Sequence, residues 1–303
     1  MIVDKITSSY SYRLLSNRIK QILYTIDPKI EINRTYKKAF GKYPNLKAPQ
    51  DLIEKIYYME LYQDVSLWTL CADKYRMREY VAKKGLSQYL PKLLAVWRRP
   101  EDIDFSNLDS RFAIKLNNGC GDCYIVKDKN KVNIECIKEY FRRQLKIHIG
   151  YDNSQRHYLN IKPCIIAEEL LEQDSIYKEI SPNSLIDFKF WAFRGNVESC
   201  FVTYNRKGHH FYLDLKNIEW QSMPNYLVPN NMIKYNPSID IPKPKCYEEM
   251  LHIVSLLSED FPEVRIDLYS INGRPMIGEM TFSTGYGYFT HEYYQILGNK
   301  IIL

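Results

Sequence analysis

The pattern of apolar and polar residues divides the chain into a helical first part and a strand-rich last part. Apolar residues recur at helical spacing over residues 10–26, and residues 50–85 are also helical in character. Further helices are predicted over 133–147 and 246–259. Past residue 185, short apolar segments bounded by turn residues predict β-strands at Ile186–Phe193, Val197–Tyr204, Val264–Tyr269 and Met276–Phe282. The pattern therefore predicts an α+β fold.

The first predicted helix carries an apolar stripe, with arginine and lysine elsewhere on its surface. Leu15, Ile19, Ile22, Leu23 and Ile26 fall at the spacing that places side chains on one face of a helix. A basic amphipathic helix can lie on a membrane surface. We expect instead that this stripe packs against the helices that follow it.

The pattern changes after Pro100, where short strands replace helices. Arg111–Leu116 and Cys123–Lys127 flank a turn that contains glycine, and Cys164–Ala167 begins another strand. No βαβ unit is evident in the first hundred residues. We expect a mostly helical N-terminal lobe, a small lobe and a large lobe, spanning residues 1–105, 106–170 and 171–303.

Composition and charge restrict which binding partners and which cellular location are expected. The 303 residues include 42 basic and 36 acidic ones, for a net charge of +6. We interpret this excess as mild and dispersed, so that it suits anionic substrates such as ATP or acidic saccharides and not nucleic acid. No apolar run approaches the ~20 residues that span a bilayer. The seven cysteines are irregularly spaced, which argues against a disulfide framework, and we expect a cytoplasmic protein.

The segment 264–282 contains the strongest candidate site. Because side chains alternate along a strand, Arg265 and Asp267 share one face of the first strand, and Glu279 and Thr281 share one face of the second. Two carboxylates that converge suit Mg²⁺, which prefers hard oxygen ligands. The alternative is a solvated hairpin face with an arginine–glutamate pair across the strands.

The length of the turn decides whether the two carboxylates share a face. A two-residue turn at Asn272-Gly273 would send Glu279 to the face opposite Asp267. A three-residue loop, 271–273, or an equivalent bulge, makes Asp267 and Glu279 diagonal neighbours and pairs Arg265 with Glu279. We predict the odd-length loop.

A lysine precedes the glycine turn in the middle of the chain. Lys115 ends an apolar strand, and the loop after it contains Gly119 and Gly121, whose backbone N–H groups could hold phosphates. A plain hairpin turn is the alternative. Cys120 and Cys123 form a CxxC in this loop, but no second ligand pair completes a zinc site, so we interpret them as loop residues.

In combination, these segments resemble the ATP-grasp superfamily, and in detail its TupA-like branch, which is associated with cell-surface polysaccharide and teichuronopeptide synthesis. The resemblance covers roughly residues 45–292. It rests on the order and spacing of ADKY and REY within 72–80, FAIKLNNGCGD at 112–122, IIAEELL at 165–171, IDFKFWAFRGN at 186–196 and VRIDLYSINGRPMIGEMTF at 264–282.

The resemblance implies two α+β lobes that grip ATP, and a role for each matching residue. Lys74 and Lys115 would contact the phosphates, beneath a mobile loop with Gly119 and Gly121. The hinge 168–171, formed by Glu168, Glu169, Leu170 and Leu171, would bind adenine. Asp187 and Lys189 would flank the ribose and phosphates. The remaining roles belong to residues of the hairpin 264–282. Arg265 would stabilise an acyl-phosphate, and the Mg²⁺ ligands would be Asp267, Glu279 and Thr281.

Two departures from the family pattern limit what can be carried over. Thr281 stands where many ATP-grasp enzymes have asparagine, and a hydroxyl is the poorer metal ligand. The N-terminal part is helical where many such ligases use an α/β lobe to hold the acceptor. The resemblance nevertheless implies an ATP- and Mg²⁺-dependent ligase that joins a carboxylate to an amine. Its partners would be an acidic saccharide or nucleotide sugar and an amine donor, with peripheral association with polysaccharide machinery as a further expectation.

Three other functions stay open on the sequence. Asp102-Ile103-Asp104 resembles the DxD triplet of glycosyltransferases. An ATP-grasp fold can also act as a kinase that leaves a phosphate ester, or as a non-catalytic nucleotide-binding partner in a surface-polysaccharide complex. The basic loop 206–210 could lie near an acidic substrate, or it could be a solvated turn.

Overall fold

The computed structural model describes residues 2–119 and 123–303, with side chains from residue 10 onwards. The chain forms two compact units. The first contains Met1–Pro44, Glu60–Arg76 and Lys92–Leu170, and the second contains Asn45–Met59, Met77–Pro91 and Leu171–Leu303. Residues 45–59 and 77–91 therefore group with the C-terminal part of the chain. The expected three-part division into lobes stays a prediction.

Helices dominate the first ninety residues and recur singly afterwards. Their bounds are α1 Ile2–Ile26, α2 Lys29–Phe40, α3 Leu52–Tyr62, α4 Ser66–Ala72, α5 Met77–Lys83, α6 Ile134–Gln144, α7 Arg156–Leu159, α8 Ser175–Ile180, α9 Tyr247–Ser258 and α10 His291–Gly298. The predicted helices over 10–26, 133–147 and 246–259 are thus confirmed. Among the residues described, no helix combines the length and apolar character needed to cross a bilayer.

The first unit contains a sheet with the strand order β1-β4-β2-β3. Its strands are β1 Leu93–Trp97, β2 Phe112–Leu116, β3 Tyr124–Val126 and β4 Ile165–Glu169. β2 is antiparallel to both β3 and β4, and α6 packs one face through Ile137 and Phe141. β1 is a short strand within the first hundred residues, which are otherwise mostly helical, as expected.

The second unit contains a sheet with the strand order β10-β9-β5-β6-β7-β8. Its strands are β5 Asp187–Phe193, β6 Asn196–Lys207, β7 His210–Asn217, β8 Ile233–Lys234, β9 Val264–Ile271 and β10 Arg274–Thr281. The predicted strands coincide with β5, β6, β9 and β10 to within three residues at each end. The basic segment 206–210 covers the end of β6, the two-residue connection 208–209 and the first residue of β7.

The two faces of the second sheet bury different kinds of side chain. On one face, Ile266 and Leu268 are fully buried and α9 packs against the sheet. On the other, the ring of Trp191 packs against Phe201 in a tilted arrangement and against Phe289 edge-on, at ring-centroid distances of 4.8 and 5.1 Å. The charged residues singled out in the sequence lie on this second face, next to the aromatic rings.

Candidate active site

Lys115 lies on the polar side of β2, one residue before the strand ends. The alternation of the strand places Phe112, Ile114 and Leu116 in the core and turns Lys115 the other way. The Lys115 ammonium is 2.5 Å from Glu168 Oε2 on the neighbouring strand β4. An ion pair therefore holds this lysine, and 17% of its side chain is exposed.

Lys74 contacts the loop that follows β2. Its backbone N–H donates to the Asn117 carbonyl at 2.9 Å, and its Nζ donates to the Gly119 carbonyl at 2.8 Å. The structure therefore brings Lys74 to the beginning of the glycine turn, as the resemblance implied. Gly121, the second glycine expected to contact phosphate, lies outside the described residues.

Asn117 fixes the beginning of this loop, a role that the sequence did not predict. Its backbone N–H donates to the Cys164 carbonyl at 3.0 Å, and its Oδ1 accepts from the Cys164 N–H at 2.8 Å. Its Nδ2 donates to the Lys162 carbonyl at 3.1 Å. Asn117 is fully buried. An asparagine directly after an apolar strand was the only sequence signal for this contact. We call Lys74, Lys115, Asn117 and Glu168 the lysine site.

The predicted hinge begins at the end of β4. Glu169 pairs with Lys92 through its backbone N–H, at 3.0 Å, and through its Oε1, which accepts from the Lys92 N–H at 2.7 Å. The chain passes from the first unit to the second between Leu170 and Leu171. The role of these residues in binding adenine stays a prediction.

The β9–β10 hairpin differs from the predicted geometry in the position of its one unpaired residue. Ile271 pairs with Arg274 across a two-residue turn, whose residues Asn272 and Gly273 have φ angles of 53° and 70°. Such a turn needs a left-handed conformation at both positions. The predicted three-residue loop was therefore wrong. The strand register shifts instead at Gly278, so the alternative of a bulge is confirmed.

The bulge changes which residues face each other. Asp267 pairs directly with Glu279, not diagonally, and Arg265 pairs with Thr281, not with Glu279. Ile277 pairs with Leu268 and is fully buried on the opposite face, although strict alternation with Glu279 would place it on the face of the carboxylates. Asp267 and Glu279 still share one face of the sheet, as the sequence predicted.

Arg265 donates hydrogen bonds to the other polar side chains on this face of the hairpin. Its Nε and Nη2 donate to the two oxygens of Asp267 at 2.6 and 2.8 Å. Nη2 also donates to Glu279 Oε1 at 2.9 Å and to Thr281 Oγ1 at 3.0 Å. Bidentate arginine–carboxylate pairs of this kind fix orientation as well as charge. One guanidinium therefore sets the positions of all three predicted metal ligands.

Lys189 extends the network onto β5. It pairs with Asp267 across the strands, and its ammonium forms an ion pair with that carboxylate. The Lys189 ammonium is also 3.4 Å from Asp187 Oδ2, which accepts a hydrogen bond from Thr203 at 3.2 Å. We call the complete set the carboxylate cluster: Asp187, Lys189, Arg265, Asp267, Glu279 and Thr281.

Burial and neighbouring charges shift the pKa values of Asp267 and Lys189 in opposite directions. Burial raises the pKa of Asp267, although Arg265 and Lys189 both oppose that shift. Burial lowers the pKa of Lys189, but Asp187 and Asp267 more than offset it, so the lysine pKa lies above its usual value. Lys189 therefore stays cationic at neutral pH. Three carboxylates and two cations, counted with their usual charges, give the cluster a formal charge of −1.

The oxygen donors of the cluster fit Mg²⁺. Asp267 Oδ2 and Glu279 Oε1 both accept from the same Arg265 nitrogen, so the two carboxylates converge on one position. In the described part of the chain, no three His, Cys, Asp or Glu side chains form a metal-binding group. Mg²⁺ is commonly held by one or two carboxylates, with water and substrate phosphates completing its shell. Asp267 and Glu279 are the two carboxylates of the cluster that share a cation in this way.

A sequence model described as TupA-like ATPgrasp matches residues 54–302. The chain belongs to the TupA-like ATP-grasp family. This confirms the family expected from the motifs, and with it the α+β ATP-grasp fold. The match begins at α3, so α1 and α2 precede the part of the chain that the family model describes.

Solved ligases resemble this TupA-like protein more distantly. The D-alanine–D-alanine ligase from Bacillus anthracis is 16% identical, with a TM-score of 0.43, over 77% of this chain and 66% of the ligase. The L-amino acid ligase from Bacillus licheniformis is 16% identical, with a TM-score of 0.42, over 73% and 43%. This chain thus spans less than two thirds of either ligase. Similarity at this level carries no information about substrate. No curated protein matches significantly.

Proposed function

We propose that this TupA-like protein is an ATP-dependent, ADP-forming ligase that joins a carboxylate to an amine through an acyl-phosphate. The observation that supports it most is the pair Asp267 and Glu279, which face each other across two strands and share the Arg265 guanidinium, in a chain that belongs to an ATP-grasp family. We further propose an acidic saccharide of the uronic-acid type as the carboxylate and an amino acid or other amine as the acceptor. A cytoplasmic location, where ATP is available, is part of the proposal.

The reaction needs ATP because a carboxylate is a poor acyl donor. Attack by the carboxylate oxygen on the γ-phosphorus forms a mixed anhydride and releases ADP. The amine nitrogen then attacks the acyl carbon, the bond from carbon to the phosphate oxygen breaks, and inorganic phosphate leaves with that oxygen. The amine loses one proton in this step. Catalysis of phosphoryl transfer rests mainly on positioning and on stabilisation of charge.

In this proposal the carboxylate cluster binds and orients the nucleotide's metal. Asp267 and Glu279 would hold Mg²⁺, with Thr281 Oγ1 as a weak third donor. When bound, Mg²⁺ neutralises negative charge on the transferring phosphoryl group. Arg265 holds the two carboxylates in place and presents positive charge on the same face, where an anionic group would be stabilised. Lys189, which stays cationic, pairs with Asp267 and favours its ionised form, opposing the effect of burial on the pKa of that carboxyl.

The lysine site would supply the phosphate contacts. Lys115 is kept extended by Glu168, and Lys74 is kept at the glycine turn by the Gly119 carbonyl. Both ammonium groups have partners that a phosphate oxygen could replace. An ammonium group acts on phosphate as a point charge with several donors.

Product analysis tests the proposed function. The protein would be incubated with MgATP, candidate uronic-acid saccharides and a pool of amino acids, and the products followed by ADP release and mass spectrometry. We expect ADP release that requires both the saccharide and an amine, and a product that has gained the amine with loss of water. A phosphorylated product without any amine requirement would show a kinase instead. ATP binding without ADP release on any acceptor would show a non-catalytic role.

The glycosyltransferase alternative has no support in the structure. Asp102 pairs with Arg99 at 2.7 Å, and Asp104 accepts from the Ser106 hydroxyl at 2.6 Å. These two carboxylates are therefore engaged by neighbours in their own turn. Preference for a UDP-sugar with Mn²⁺ over ATP with Mg²⁺ in a calorimetric titration would nevertheless refute the ligase proposal.

A further inference from the structure

Helix α1 exposes a continuous apolar stripe. Tyr12, Leu15, Ile19, Ile22 and Ile26 recur at intervals of three and four residues and so lie on one side of the helix. Their exposed fractions are 74%, 59%, 49%, 61% and 70%. The sequence predicted that the stripe packs against the following helices, and for these residues that prediction was wrong. Isolated exposed apolar residues are ordinary, but an aligned row of five marks an interaction surface.

The opposite side of α1 explains why the stripe faces outward. Asn17 is buried there, and its amide donates to the His148 carbonyl at 2.9 Å while its Oδ1 accepts from the His148 N–H at 3.0 Å. Lys20 pairs with Asp152 at 2.6 Å, and the ring of Tyr24 contacts Tyr151 edge-on. The polar and aromatic side thus anchors α1 to the first unit, which leaves the aliphatic side uncovered.

The positive charge of the protein is concentrated in the same segment. Residues 1–44 contain nine Lys and Arg but only three Asp and Glu, whereas the remaining 259 residues contain 33 of each. The net charge of +6 therefore belongs to α1, α2 and their immediate neighbours, and the excess is not dispersed as first interpreted. These residues also precede the part of the chain that matches the family, 54–302.

We propose that α1 docks on the surface of a membrane that contains anionic lipids, with its apolar stripe in the interface. An exposed aliphatic row on a strongly basic segment combines the two attractions that hold interfacial helices, burial of apolar side chains and attraction to acidic headgroups. Nucleic acid would engage the charge but not the aliphatic row.

A second copy of the chain fits the surface less well. The three- and four-residue intervals suit a helical partner, but paired helices usually carry opposite charges beside their apolar seam. The positions beside this stripe are Ser11, Ser16, Arg18, Leu23 and Thr25. Two copies would therefore bring arginine against a surface with no acidic partner. This charge pattern favours an anionic lipid surface over self-association.

Vesicle binding tests the proposal. The full chain would be sedimented with vesicles of phosphatidylcholine alone and with vesicles of equimolar phosphatidylcholine and phosphatidylglycerol, without nucleotide. We expect binding to the second kind only. The double variant Ile19→Gln and Ile22→Gln should bind at least about tenfold more weakly, since two aliphatic side chains leave the interface. Arg13→Gln and Arg18→Gln should each weaken binding about fivefold.

The matched control is Ile176→Gln. Ile176 lies in α8 and is 49% exposed, as Ile19 is, but it lies in the second unit. This variant should bind vesicles as the wild type does, and circular dichroism should show unchanged helix content in every variant. Absence of wild-type binding, or binding that survives the double substitution, would overturn the proposal. So would a concentration-dependent dimer, measured by sedimentation without lipid, that the double substitution dissociates. None of these readouts depends on ligase activity.

Discussion

The lysine site and the carboxylate cluster hold their charges by different means. In the lysine site, backbone groups do most of the positioning. The Gly119 carbonyl accepts from Lys74, and the buried amide of Asn117 ties the loop to Lys162 and Cys164. In the carboxylate cluster, side chains position one another, and Arg265 alone makes four hydrogen bonds to three of them.

This difference predicts how each site responds to substitution. A site held by backbone groups loses one contact when one side chain is changed. A buried network of charges responds as a unit, because removing one member leaves others buried without compensation. Five substitutions test this contrast, and they are given in order of decreasing expected effect.

Asp267→Asn should have the largest effect, since it removes charge from the centre of the network. Arg265 and Lys189 would remain buried without their main carboxylate, which should lower the free energy of unfolding by about 3 to 5 kcal/mol. ADP release should also be abolished.

Glu279→Gln, whose side chain is 29% exposed, should abolish ADP release equally but lower the free energy of unfolding by less than about 1 kcal/mol. Denaturant unfolding and ADP release measure both. Wild-type turnover in either variant would remove the metal assignment.

Lys115→Ala should weaken ATP binding about ten- to hundredfold, which is the range expected for one charge-assisted contact. The fold should be retained, because the change removes one ion pair between the central strands β2 and β4 while their backbone pairing is kept. Calorimetric titration with ATP measures the affinity. Lys131→Ala, a lysine of the same unit with 83% of its side chain exposed, is the control and should bind ATP normally. Equal affinity in both variants would exclude Lys115 from the phosphate site.

Asn117→Ala should lower the free energy of unfolding by about 1 to 3 kcal/mol, because the buried Cys164 N–H and the Lys162 carbonyl lose their side-chain partner. ATP affinity should fall less than in Lys115→Ala, since Asn117 acts by positioning the loop. Thermal unfolding and ATP titration would be compared with those of the exposed Asn130→Ala. A larger loss of affinity than that of Lys115→Ala would show that Asn117 contacts the nucleotide itself.

Glu263→Gln tests the effect of a buried charge through the pH dependence of the free energy of unfolding. Glu263 is fully buried, and neither of its carboxylate oxygens has a hydrogen-bond partner among the described residues. Burial therefore raises the pKa of Glu263 well above its usual range, with Arg265 opposing only in part. A carboxyl whose pKa is raised on folding stabilises the fold at low pH, and that stability is lost as the pH rises towards the raised pKa.

The variant should therefore gain stability relative to wild type as the pH increases. The difference in free energy of unfolding should grow by up to about 1.4 kcal/mol per pH unit as the pH rises above the usual glutamate pKa of about 4.3. Denaturant titrations at several pH values measure it, and the exposed Glu219→Gln should show no such trend. A constant difference across this range would mean that Glu263 ionises normally in the folded protein.

The sequence predicted the polar face of the hairpin but not its register. Alternation placed Arg265, Asp267, Glu279 and Thr281 together, because side-chain direction along a strand follows directly from spacing. The position of the odd residue depends on backbone conformation, which spacing alone does not determine. A glycine inside a strand was the available signal, since Gly278 lies where an added Cβ would be 2.8 Å from Tyr269 Cε2.

Long-range contacts account for most of what the sequence could not predict. Asn117 reaches residues 162–164, and Lys189 reaches Asp267 from a strand that lies about eighty positions earlier in the chain. Neither pairing leaves a local pattern. The helix α1 shows the reverse case: its periodicity predicted the helix correctly, but which of its two sides would be covered depended on partners such as His148.

The bulge at Gly278 also decides which face the end of β10 presents. The turn at Asn272-Gly273 sets the pairing of every residue up to Ile277, and the bulged residue brings Glu279, instead of Gly278, opposite Asp267. If Gly278 paired regularly with Asp267, every later residue would change sides, turning Glu279 towards α9 and Met280 towards Arg265. Deletion of Gly278 would leave Glu279 opposite Asp267, so in this family member the site depends on the bulge and not on the length of the strand.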